Sequence, residues 1–169
     1  MFLLNAKLYI FLFFCGVFSA CNNPKETAIT NETIKTKDNF HWPIGKFIFV
    51  TKEGMFFEEW VKIDSVTFKG SNFFINKAKN DTLFTVTMKL TRGKEKTSLL
   101  FKLKGENNKD SEFTLIKEDE NLYVFENPFH DYTSIMQYKI LGDTAIEVTE
   151  RGFVKNKERE EKYIMKKID

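Results

Sequence analysis

Hydrophobic and polar residues alternate with a period of two along most of this chain. In LFTVTMKL, Phe84, Val86, Met88 and Leu90 share one face, and Thr85, Thr87 and Lys89 share the other. In SLLFKLK, Leu99, Phe101 and Leu103 alternate with Leu100, Lys102 and Lys104. In AIEVTE, Ile146 and Val148 alternate with Ala145, Glu147 and Thr149. Successive side chains of a strand point to opposite faces, so the pattern predicts antiparallel strands with one buried and one wet face. Further strand-like runs lie at 46–50, 56–63, 66–69, 72–76, 111–117, 121–126, 134–141 and 160–166.

The punctuation between the runs fits hairpins. KGSN at 69–72 and Gly142-Asp143 read as short turns whose glycine can take positive φ. KND at 79–81, RGK at 92–94 and GENNKD at 105–110 read as longer polar loops. No proline interrupts a run, and no amphipathic helical pattern follows the N-terminal region. About ten short meandering strands predict an all-β domain, an antiparallel up-and-down barrel, because closure removes exposed strand edges. A β-sandwich is the alternative for the same strand spacing.

The N-terminus has a different character. Lys7 is followed by an apolar run from Leu8 to Phe18, then the small residues Ser19 and Ala20, then Cys21. That layout is a secretory signal, too short for a comfortable membrane span. Phe18-Ser19-Ala20-Cys21 resembles the lipobox of bacterial lipoproteins, with Phe18 where leucine is usual. The resemblance implies cleavage before Cys21 and a lipid on its sulfur. Cysteine counting agrees: Cys15 would leave with the signal, and Cys21 would be the one cysteine of the mature chain. Two or more acyl chains anchor stably, each buried methylene contributing roughly 0.8 kcal/mol. Residues 22–39 are polar and cannot bury enough surface to offset their ordering entropy. The expected organisation is a signal peptide over 1–20, a disordered tether over 21–39 and one barrel domain over 40–169.

Composition narrows the partners. Twenty-six Lys and Arg face twenty-four Asp and Glu, a net charge of +2. Blocks such as KNKEREEKYIMKK mix signs and suit a solvated strand or turn face. No basic stripe interleaves with aromatics, which argues against a nucleic-acid partner. Nineteen Phe residues point to a wide aromatic interior. No phosphate loop, His-x-x-x-His pair or G-x-S-x-G occurs, and two histidines without a second mature cysteine make a metal site implausible. No cofactor is expected.

Two segments carry candidate chemistry. In EEW, Glu58 and Trp60 lie two apart and share a face. If that face is the barrel interior, the carboxylate needs a partner or stays protonated. In FENPFHDYTSIMQYKI, Asn127-Pro128 can turn the chain, and Asn127 and Asp131 can cap backbone N–H groups. His130 has no backbone reason to sit in a turn, so its side chain either plugs the barrel or meets a ligand. His41 is expected to be exposed.

FENPFHDYTSIMQYKI resembles the F-E-N-P-x-H-D-[FY]-P-x-x-I-x-Y signature of DUF6265, a bacterial domain family of unknown activity. Glu58 and Trp60, and Trp42 followed by Gly45-Lys46-Phe47, also resemble it. The resemblance spans 42–166 and implies a lipocalin-like barrel. It carries over Glu58, Trp60, Asn127, Pro128, His130, Asp131 and Tyr138. Three departures stand out. Thr133 replaces a usual proline, which predicts a freer turn. Phe47 replaces a usual tryptophan. A glutamate often found near Val86 is missing, which predicts the loss of a second interior carboxylate. The expected function is a membrane-anchored lipoprotein that binds a small, largely apolar molecule through Glu58, Trp60, His130, Asp131 and Tyr138. The alternatives are a structural lipoprotein with a filled barrel and an enzyme using His130 with Glu58.

Overall fold

The alternating runs form strands along most of the domain. A computed structural model describes residues 40–78, 81–104, 110–130 and 132–169. The expected signal peptide and tether, with Cys21, and the candidate Asp131 lie outside these residues. The strands are β1 (Gly45–Val50), β2 (Gly54–Lys62), β3 (Thr67–Asn76), β4 (Asp81–Arg92) and β5 (Thr97–Leu103). They continue as β6 (Asp110–Asp119), β7 (Leu122–Glu126), β8 (Ile135–Ile140), β9 (Ala145–Val154) and β10 (Lys157–Lys167). Each pairs antiparallel with the next, and β1 pairs with β10. The result is a closed, lipocalin-like up-and-down barrel, not a sandwich.

One predicted turn is not a turn. KGSN lies inside β3, so the runs at 66–69 and 72–76 belong to one strand. Its glycine serves packing. Gly70 is the register partner of Trp60. A Cβ on Gly70 would come within 2.9 Å of the Trp60 ring and of Met88 Cε. Gly142 does occupy a turn as expected, with φ of 66°. The β9–β10 hairpin turns at Lys155-Asn156, both at positive φ without a glycine. Positive φ at both central residues matches the twist of the flanking strands.

The turns divide between two ends. The β2–β3, β4–β5, β6–β7 and β8–β9 turns share one end, here the lower, with the segment entering β1. That segment seals the lower end. Trp42 is buried, its ring centroid 5.0 Å from Tyr138, 5.1 Å from Trp60 and 5.5 Å from Tyr123. The Tyr123 hydroxyl donates to the His41 carbonyl and accepts from the His41 N–H, both at 3.1 Å. The His41 side chain itself is exposed, as expected. The Arg92 guanidinium lies 4.2 Å from the centroid of Phe40 and pairs with Glu118 at 3.5 Å. Around this plug, Leu90, Leu99, Phe125 and Ile146 are fully buried.

Gly70→Val should overpack this wall and cost about 1–3 kcal/mol in urea denaturation. Trp60→Leu in the same chain should recover part of that loss. An unchanged midpoint for Gly70→Val would show that Gly70 is not there to make room for the indole.

Candidate functional site

A polar layer crosses the middle of the barrel. It exists because three strands place a polar side chain on their apolar face. Glu58 precedes Trp60 on the inner face of β2, and Asn72 is its register partner on β3. Glu150 follows Ile146 and Val148 on the inner face of β9. All three are buried, Glu58 to 2% exposure and Glu150 to 6%.

Trp60 Nε1 donates to Glu58 Oε1 at 2.6 Å. The Tyr138 hydroxyl also interacts with the Glu58 carboxyl. Glu150 is held by two donors. Thr133 Oγ1 donates to its Oε2 at 3.1 Å, and the Tyr163 hydroxyl donates to its Oε1 at 2.9 Å. Burial is the largest influence on both carboxyls and disfavours their charged forms. It pushes Glu58 from 4.5 up to about 7, opposed by the Trp60 hydrogen bond and assisted by the charge of Glu150. Glu150 is also raised by burial, with the Tyr163 and Thr133 hydrogen bonds opposing. Burial and the neighbouring carboxylates raise Tyr138 and Tyr163 well above the usual phenol range.

Asn72 is the least satisfied member. Its Nδ2 reaches only a thioether, Met88 Sδ at 3.7 Å. Its Oδ1 is buried and has no hydrogen-bond partner among the described residues. Buried polar atoms of this kind are uncommon, because leaving one unpaired costs the full desolvation of the group.

Above the polar layer the interior is aromatic. Phe49 stacks on Tyr163 with centroids 5.2 Å apart, and Phe56 lies 6.2 Å from both Tyr163 and Phe84. Tyr163 therefore joins the layers, its ring in the aromatic wall and its hydroxyl on Glu150. Phe49, Phe56, Phe84, Val86 and Phe101 lie on the inner faces of their strands yet are only partly buried. The inner faces above the layer are thus less fully buried than those around the plug below it.

The predicted residues divide into two groups. Glu58, Trp60 and Tyr138 come together as one hydrogen-bonded cluster. His130 sits at the upper end in the β7–β8 connection, with β6 as neighbour. Its Nε2 lies 3.3 Å from Ser111 Oγ, and its ring centroid is 5.8 Å from that of Phe113. Asn127 caps the connection as expected. Asn127 Oδ1 accepts from the Phe129 N–H at 3.1 Å, and the Asn127 carbonyl accepts from the His130 N–H at 3.1 Å.

Two expectations are corrected. Thr133 is not a loose substitute for proline: it is 2% exposed and donates to Glu150. The barrel also has a second interior carboxylate, contributed by Glu150 on β9 and not by the strand around Val86. The signal that locates Glu150 is parity. It lies two residues beyond Val148 and so shares its face. Asn72 shares a face with Phe74, and Tyr163 with Met165, by the same rule.

Comparisons with protein-family models, curated proteins and solved structures gave no match. Among the described residues, no three His, Cys, Asp or Glu side chains converge as a metal ion would require.

Glu58 sets a pH dependence of stability. Below its unfolded value of 4.5 the carboxyl is protonated in both states, and its contribution is fully present. As pH rises toward about 7, the unfolded chain releases a proton that the folded protein retains, so stability falls. The decline should reach on the order of 3 kcal/mol, and Glu150 acts in the same direction. Glu58→Gln should flatten the plot of unfolding free energy against pH across this window. Parallel curves for the two proteins would show that Glu58 does not hold its proton in the fold.

Proposed function

We propose that the chain is a membrane-anchored bacterial lipoprotein whose barrel binds a small, largely apolar molecule in the cell envelope. One observation carries the binding reading: inward-facing Phe49, Phe56, Phe84, Val86 and Phe101 remain partly exposed above a sealed, polar floor. A barrel whose interior were filled throughout would bury these side chains as fully as Leu90 and Leu99. Sites for small molecules are concave, mostly apolar and equipped with a few placed polar groups. The upper half has that composition, with Glu58, Asn72 and Glu150 as the polar groups. The resemblance of 125–138 to the DUF6265 signature and the lipobox-like sequence at Cys21 support the family and envelope parts of the reading.

The enzyme alternative has less support. Glu58 is bonded to Trp60, whereas the contacts described for His130 are with Ser111 and Phe113.

The neutral apolar dye Nile red should bind the purified protein and gain fluorescence. Val86→Trp should weaken that binding by about tenfold or more, because the indole occupies space the ligand needs. Equal binding by wild type and Val86→Trp would remove the upper half from the site. Labelled palmitate should be incorporated into the wild-type chain and not into Cys21→Ser. Label retained by the variant would refute the anchoring reading.

A further inference from the structure

The polar floor has an unusual balance of donors and acceptors. Glu58 and Glu150 are both carboxylates, and the Asn72 Oδ1 acceptor has no partner among the described residues. Glu58 and Asn72 are direct cross-strand partners on the same face, so their side chains are neighbours. Among the described residues the influences on Glu58 are Trp60, Glu150 and Tyr138, none of them a cation. The charges of Glu161 and Arg159 both act on Glu150 in opposite directions, and Arg159 hydrogen-bonds Glu161. The lower cation, Arg92, is paired with Glu118. Once Glu58 is ionised, the groups of the floor therefore offer more acceptors than donors among the described residues. The wall above it is made of aromatic rings, whose faces attract cations.

We propose that the cup binds an organic ammonium, an amine carried on an apolar body, whose N–H donors meet Glu58 and the Asn72 Oδ1 acceptor. This inference rests on the binding reading given above and specifies the class of ligand. An ammonium carries three donors and no acceptor, which complements the floor. The apolar body lies along Phe49, Phe56 and Phe84, and Glu150 adds attraction without giving up its bonds to Thr133 and Tyr163. A carboxylate ligand would meet two acidic groups and leave Asn72 Oδ1 unsatisfied. An alcohol would satisfy one acceptor and bring no charge. Burial holds the Glu58 carboxyl at about 7, so an arriving ammonium finds a group that ionises readily at neutral pH.

The test compares three probes of equal chain length, octylamine, octanol and octanoate, by titration calorimetry at neutral pH. Octylamine should bind at least about tenfold more tightly than octanol, the size expected of one charge-assisted hydrogen bond. Octanoate should bind most weakly. In Glu58→Gln and Asn72→Leu the advantage of the amine over the alcohol should shrink. The wild-type ranking decides even if a variant fails to fold. Octanol or octanoate binding as well as octylamine would overturn the ammonium assignment and leave the cup intact. If none of the three binds and Nile red does not bind either, the cup itself is refuted and this inference with it.

Discussion

Closure of the sheet between β1 and β10 is the constraint on which the rest of the structure depends. The seam is short. Phe47 pairs with Lys167 and Ile48 with Lys166, and the Ile168 N–H donates to the Lys46 carbonyl at 2.9 Å. The C-terminal residue reinforces it, since Asp169 Oδ1 accepts from the Lys46 N–H at 2.7 Å. Once this seam forms, no strand edge remains, and ten inner faces surround one volume. A polar residue on any of those faces then has only the barrel interior to occupy. The burial of Glu58, Asn72 and Glu150 follows from closure together with the parity of their strands.

Closure also explains the division of the interior into two halves. The lower half is filled because the segment before β1 folds back and places Trp42 among Trp60, Tyr123, Phe125 and Tyr138. An indole is large, and its neighbours must make room, which is why Gly70 stands opposite Trp60. No equivalent segment described in the structure enters the upper half. There the walls are large rings packed against one another, and these residues are only partly buried. Trp60 thus has two roles. Its ring packs against the plug, and its N–H fixes the carboxyl that forms the floor of the other half.

Much of the fold was legible because strand alternation is a local signal. The inner faces read from LFTVTMKL, SLLFKLK and AIEVTE are those the barrel buries. The exception was KGSN, where a glycine looks alike whether it turns a chain or clears space for a ring on the neighbouring strand. That distinction depends on a residue ten positions away, Trp60. The β9–β10 turn was hard to see for the opposite reason: Lys155-Asn156 has turn geometry without glycine. In the site, Glu58, Trp60 and Tyr138 were identified together. Glu150 obeys the same parity, but a charged residue at the end of AIEVTE looks the same as the start of a wet turn. Asn72 stands where the predicted KGSN turn meets the run at 72–76, so local pattern does not give its face. Trp42 could not be assigned as a plug from local pattern, since its role depends on a chain reversal that alternation does not encode.

The interior carboxyls are a poor device for stability alone. A buried acid surrounded by rings is disfavoured in its charged form, and apolar residues of similar volume commonly serve a core at least as well. Glu58 and Glu150 are nevertheless equipped with donors from four different side chains, Trp60, Tyr138, Thr133 and Tyr163. These donors fix the direction of each carboxyl and oppose the effect of burial on it. They do not supply a positive charge to Glu58, and they leave Asn72 Oδ1 unpaired. A purely structural network would be expected to close on itself, because a partly satisfied buried network is worse than an apolar core. Each Glu150 oxygen has a donor, whereas Asn72 Oδ1, next to Glu58, has no partner among the described residues.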